Sequence, residues 1–232
     1  AGAGGRWAVS AWIQTASGVA FDLDAPTPDQ VRGHDLAHAL AGVNRFGGHL
    51  RVYYSVAQHS VLAAALLWQR TRDRVATLAA LLHDAHEAYT GDIKAPVKAY
   101  LERVAPGAIA ALEQRIDAAI SAWACLELGQ GAADVRRLIK TADLQLLFWE
   151  RDRWMGRPSR PWIGEDTVIR LAPADFGVEA GSSLLEPWSR DDAEEAFRWA
   201  LDVFLDGREP VLSVNHRRMS GELDLAFRGA VR

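Results

Sequence analysis

Seven histidines are spread along the 232-residue chain, and the company each keeps decides what it can do. His83 and Asp84 are adjacent, at the end of a segment whose preceding turns, LAALL, are apolar. Both side chains are good ligands for a borderline or hard metal ion. Asp84 with no cation nearby would be a costly charge to bury. Read as one helix, the segment stacks Glu87 on the same face as His83 and Asp84. A carboxylate beside a metal but not bound to it is the usual place for a general acid or base acting on water. The plainer reading is that Glu87 caps or solvates the helix end. His59, in YSVAQHS, and Asp143, in IKTADLQLL, stand in two further apolar stretches. Asp143 interrupts Ile139, Ala142, Leu144, Leu146 and Leu147, so it lies either on an exposed stripe or beside a positive group.

The other polar candidates carry weaker signals. His86 shares the segment of His83 but points about a third of a turn away, which suits a supporting or rim position. His34, His38 and His49 flank Arg45 in sequence; His38 fits either a pocket mouth or ordinary helix packing. Lys94 and Lys98, read on a loop, could contact phosphates or simply face solvent. His216 falls in a polar tail and takes no role.

Helices must position these residues. From Asp35 to about Phe148 the apolar spacing is overwhelmingly helical. It predicts helices over Asp35–Val43, Ser55–Trp68 with a serine cap, Asp73–Ala88, Pro106–Leu128, Asp134–Trp154 and Arg190–Leu205. Gly91 and Pro96 read as breaks. Trp12–Leu23 alternates around a central Ser-Gly and predicts a small β-hairpin. Gly156–Pro187 holds four of the nine prolines and reads as a long surface excursion, and the chain from Val211 onward is polar and irregular. The expectation is a single, mainly α domain over residues 1–232, with its core at about 35–155 and a minor N-terminal β element.

Composition bounds the function. Apolar residues make up 49 % and charged residues 24 %, the balance of an ordinary soluble domain large enough to bury a core. The longest apolar runs, Val61–Trp68 and Val75–Leu82 interrupted only by Thr77, are far short of a bilayer span. The first residues lack the layout of a signal peptide. Cys125 is the single cysteine, set in an apolar helical pattern, which points to a reducing, cytoplasmic setting. A net charge of −4 argues against a nucleic-acid polymer as partner, whereas a local cationic pocket for a small phosphorylated ligand stays compatible with it.

The order His59, then His83-Asp84, then Asp143 resembles the HD-domain metal-dependent phosphohydrolases. Four collinear segments carry the likeness: NRF (Asn44–Phe46), SVAQHS (Ser55–Ser60), LLHDAHEAYTGDIKAPVK (Leu81–Lys98) and KTAD (Lys140–Asp143). They are similar to the bacterial 5′-deoxynucleotidase branch and its phage-type relatives over roughly Asp35–Trp149, about half the chain. The resemblance implies an HD-type helical bundle in which His59, His83, Asp84 and Asp143 bind one divalent Mn²⁺, Co²⁺, Fe²⁺, Ni²⁺ or Zn²⁺ ion. It implies Glu87 as the carboxylate at the attacking water and Asp92 as an acid ordering sugar or water. Arg45 matches the arginine that holds the substrate phosphate. Phe46 stands where relatives carry Trp, which leaves deoxy-versus-ribo selectivity open. The implied activity is removal of phosphate from deoxynucleoside monophosphates. Lys94 and Lys98 make hydrolysis of a purine dNTP the rival, with additional Mg²⁺ on the polyphosphate. A nucleotide-binding regulator without turnover is the alternative of another class. Relatives of this kind commonly pair through helices, which implies a homo-oligomer with no membrane partner.

Overall fold

The chain is organised around one helix that is apolar on every side. In the computed structural model, which describes residues 11–206 together with 221, 223, 224, 226 and 227, helix α2 (Val56–Thr71) is buried from Val56 through Trp68. A helix apolar all round has to be surrounded. Around it lie α1 (Gly33–Gly42), α3 (Arg74–Leu81), α7 (Ala132–Trp154) and α8 (Arg190–Leu201). His216 and most of the tail beyond Val211 lie outside the described residues.

Local chemistry sets the ends of these helices. Ser55 Oγ accepts the Gln58 N–H at 3.2 Å, so the serine cap read for α2 is present. Asp73 caps α3 by accepting from Ala76 N at 3.0 Å, and Ser189 caps α8 by accepting from Asp192 N at 3.1 Å. The hairpin is two short strands, β1 (Trp12–Gln14) and β2 (Ala20–Asp22), paired antiparallel with Ile13 opposite Phe21. Its turn is tied to α1: Ser17 donates to the Asp35 carboxylate from its amide at 2.8 Å and from its hydroxyl at 2.6 Å. The fold is mainly α with one small N-terminal hairpin, as the sequence predicts.

Several boundaries differ. The helix predicted over Asp73–Ala88 ends at Leu81, and 82–86 form tight turns before α4 (Glu87–Thr90). Pro96 does not break structure; it sits in the first turn of α5 (Ala95–Val104), where a missing N–H costs nothing. The long helix predicted over Pro106–Leu128 is α6 (Ala108–Trp123). Cys125 follows it as an exposed residue with a left-handed backbone, φ 48°, rather than within a helix. The helix read over Arg190–Leu205 ends at Leu201 and continues as a π-helical turn, Asp202–Asp206. Region 156–187 carries only three single 3-10 turns, which agrees with a loop-rich excursion. No helix among the described residues is long and apolar enough to cross a membrane.

Candidate metal centre

Three elements deliver the four residues. His59 comes from the first turn of α2, Asp143 from the middle of α7, and His83 with Asp84 from the turns after α3. Those turns correct the helical placement of the His-Asp pair. Ala85 N bonds to Leu82 O and Glu87 N to Asp84 O, each at 3.0 Å and each spanning three residues instead of four. The tightened path turns both side chains toward α2 and α7.

One ligand atom from each of His59, His83, Asp84 and Asp143 lies within 4.8 Å of every other. The two imidazole Nε2 atoms are 3.4 Å apart. Asp84 Oδ2 is 3.2 Å from His83 Nε2 and 3.7 Å from His59 Nε2, and Asp143 Oδ1 is 3.5 Å from His59 Nε2. A cation about 2.1 Å from two tetrahedral donors separates them by about 3.4 Å, so the spacing fits a shared ion. Hydrogen bonding aims the rings. His59 Nδ1 lies 2.6 Å from Glu150 Oε1, and His83 Nδ1 lies 2.7 Å from Ala80 O. Carboxylates and carbonyls only accept, so both Nδ1 atoms carry hydrogen and both Nε2 atoms are left to face the cluster. These residues can hold a metal ion.

The charges agree with that reading. Burial raises the Asp84 carboxyl, but His83, His59 and Arg45 outweigh it and hold Asp84 well below the ordinary aspartate range. Asp143 is lowered in the same way, burial being opposed by the His59 hydrogen bond and the His83 charge. His83 moves the other way: burial disfavours its charge, yet Asp84 and Asp143 raise it to about 9. The two carboxylates thus favour positive charge at His83, the kind of charge a cation in the cluster would supply. Glu87 is pushed up to about 9, first by burial and then by the Asp84 and Asp92 charges. Its Oε2 is buried with no hydrogen-bond partner. A cation at the cluster would offset those charges and draw the carboxyl back down.

The remaining sequence candidates fall into place unevenly. Arg45 is buried, donating from Nε to Glu150 Oε2 at 2.9 Å and lying 3.5 Å from Asp84 Oδ2 through NH1. Phe46 follows it with a left-handed backbone, φ 56°, and its ring lies 6.3 Å from that of Trp162. Lys94 lies against Gly47, whose positive φ and missing Cβ leave room for the lysine amine. Lys98 sits on α5, not on a loop, and its amine is 2.8 Å from Glu113 Oε1. Asp92 is half-buried and acts on Glu87 through its charge. His86 is a supporting residue, its Nδ1 3.1 Å from Asp117 Oδ1. His38 bridges Glu194 and Arg190 of α8, so helix packing and not a pocket mouth explains it.

Glu150 is the functional residue that the sequence reading missed. It is fully buried and joins His59 to Arg45. Its signal was its distance from Asp143: seven residues are about two helical turns, which returns the chain to the same face.

No family model matches the chain. It is 41 % identical over 109 residues to the uncharacterized protein YfdR of Escherichia coli, a match that covers 47 % of this chain and 56 % of YfdR, so it spans little more than half of that relative. With the uncharacterized protein RCAP_rcc00048 of Rhodobacter capsulatus it shares 36 % identity over 182 residues, 70 % of this chain and 88 % of the relative. By that coverage, the chain belongs to the family of RCAP_rcc00048.

Proposed function

We propose that the chain is an HD-type, metal-dependent phosphohydrolase that removes phosphate from deoxynucleoside monophosphates. The observation that carries the reading is the four converging ligands with a buried, unpartnered carboxylate oxygen of Glu87 close to them in charge. When bound, a divalent cation supplies positive charge to a phosphoryl oxygen and acidifies water. Two imidazoles and two carboxylates suit Mn²⁺, Co²⁺, Fe²⁺, Ni²⁺ or Zn²⁺.

The chain's own residues divide the remaining work. Glu87 Oε2 takes the proton of the attacking water, its ionised form being available once a cation at the cluster lowers the carboxyl toward neutral pH. Arg45, braced by Glu150, presents its remaining guanidinium hydrogens to the phosphate. Lys94, resting on Gly47 beside Arg45, adds a second cation. Lys98 is engaged by Glu113, which leaves fewer cations for a polyphosphate and favours the monophosphate over the dNTP reading.

The test is a screen of deoxynucleoside mono- and triphosphates for phosphate release with each metal added in turn. Release from monophosphates is expected, and Glu87→Gln is expected to lower kcat by about 10²–10⁴-fold with metal still bound. Nucleotide binding without release would favour the regulator reading, and loss of neither rate nor metal in the variant would remove Glu87 from the mechanism.

A further inference from the structure

The loop-rich excursion between α7 and α8 is not evenly exposed. Ile163 lies fully in solvent, yet its neighbour Trp162 is half-buried and fastened to α7. The Trp162 amide donates to Glu165 Oε2 at 3.1 Å, and Glu165 Oε1 accepts from Arg151 NH2 at 2.7 Å. The Arg151 guanidinium, in the last turn of α7, lies 5.2 Å from the Trp162 ring and 4.7 Å from the Phe148 ring. Arg151 is buried, so these charge-assisted and cation–π contacts tie the excursion to the helix. What they present is the Trp162 indole, and its neighbour is Phe46: the ring centres are 6.3 Å apart at 48°. That separation and tilt are those of attractive aromatic pairs.

Phe46 needs such a neighbour. It belongs to the 3-10 turn Arg45–Gly48, in which Phe46, Gly47 and Gly48 have φ of 56°, 58° and 78° in succession. Glycine takes that backbone freely, whereas a residue with a bulky side chain does not. Such a backbone persists only where the surroundings over-determine it, and it gathers at functional sites. The buried Phe46 ring is met by the Trp162 indole and by the Arg45 guanidinium, 5.6 Å from the ring centre. Arg45 in turn reaches Glu150 and Asp84. A row of contacts therefore runs from the excursion through Phe46 to the metal cluster. On the reading of Arg45 as the group that takes the substrate phosphate, we propose that Trp162 is a positioning residue: its indole holds Phe46 and, through it, the turn that presents Arg45.

The experiment compares the natural chain with Trp162→Ala, Trp162→Phe and Ile163→Ser, the last a change at the exposed neighbour. Hydrogen exchange of the metal-free chains reads the turn through the Arg45 and His49 amides, which bond to Tyr54 O and Phe46 O. Calorimetric binding of inorganic phosphate to the manganese-loaded chains reads Arg45. Trp162→Ala is expected to speed exchange of those two amides by about tenfold while α2 keeps its protection. It is expected to weaken phosphate by about 3–10-fold with manganese content unchanged. Trp162→Phe retains a ring and is expected to recover most of both, and Ile163→Ser to alter neither. Unchanged exchange at Arg45 and His49, or faster exchange with phosphate affinity intact, overturns the proposal. So does a rise shared by α2 or a loss of manganese, which would make Trp162 a residue of the fold at large. If the natural chain binds no phosphate while exchange in the turn still depends on the Trp162 ring, the indole's hold on the turn stands and the phosphate reading of Arg45 falls.

Discussion

The two sides of the cluster are built on different terms. On the inner side, His59, Glu150 and Arg45 form a chain of charge-assisted hydrogen bonds with His59 and Glu150 wholly out of solvent. On the outer side, Asp143 pairs with Lys140, a lysine that is 68 % exposed. Buried, hydrogen-bonded charges are costly to separate, whereas exposed pairs contribute little and rearrange easily. The inner side therefore fixes where the His59 imidazole points, and the outer side leaves room for a ligand to enter and displace a weak partner.

Breaking the inner side should have the largest effect. Glu150→Ala leaves the buried Arg45 without its nearest carboxylate, and a loss of about 3–5 kcal/mol in unfolding free energy is expected from denaturant titration. Glu150→Gln preserves shape and can still accept from His59, so it should spare most of the stability while lowering metal affinity by about 10–100-fold. A Glu150→Ala chain as stable as the natural one would mean that the buried side does not brace the site.

A smaller effect sharpens the comparison from the electrostatic side. His83 is raised to about 9, so near neutral pH it carries a proton that a metal must displace. Metal affinity should rise with pH toward that value, by up to about tenfold per unit, and binding heats should depend on the ionisation enthalpy of the buffer. Heats that are the same in all buffers would show that no proton leaves.

Much of this was legible in the sequence because it violates a pattern. His59, His83, Asp84 and Asp143 each interrupt an apolar stretch, and all four meet in one place. The helices around them follow apolar spacing and side-chain caps such as Ser55. What escaped has identifiable causes. Nothing in LAALLHDAHE marks the end of α3, since the break is made by three-residue hydrogen bonds and not by glycine or proline. Pro96 looks like a break because proline at the start of a helix and proline ending one are alike in sequence. Cys125 adopts a left-handed backbone with no glycine to announce it, so α6 stops at Trp123, short of the Leu128 read as its end. Glu150 has its partner 91 residues away on α2, a relation that no local window contains.

The central claim is that four residues from three elements form one metal centre. Its most direct test is to count bound divalent ions per chain after dialysis, in the natural protein and in Asp143→Ala. One ion per chain in the former, and an affinity lower by about 10²-fold or more in the latter, is the expected result. An equal metal content and affinity in both would contradict it.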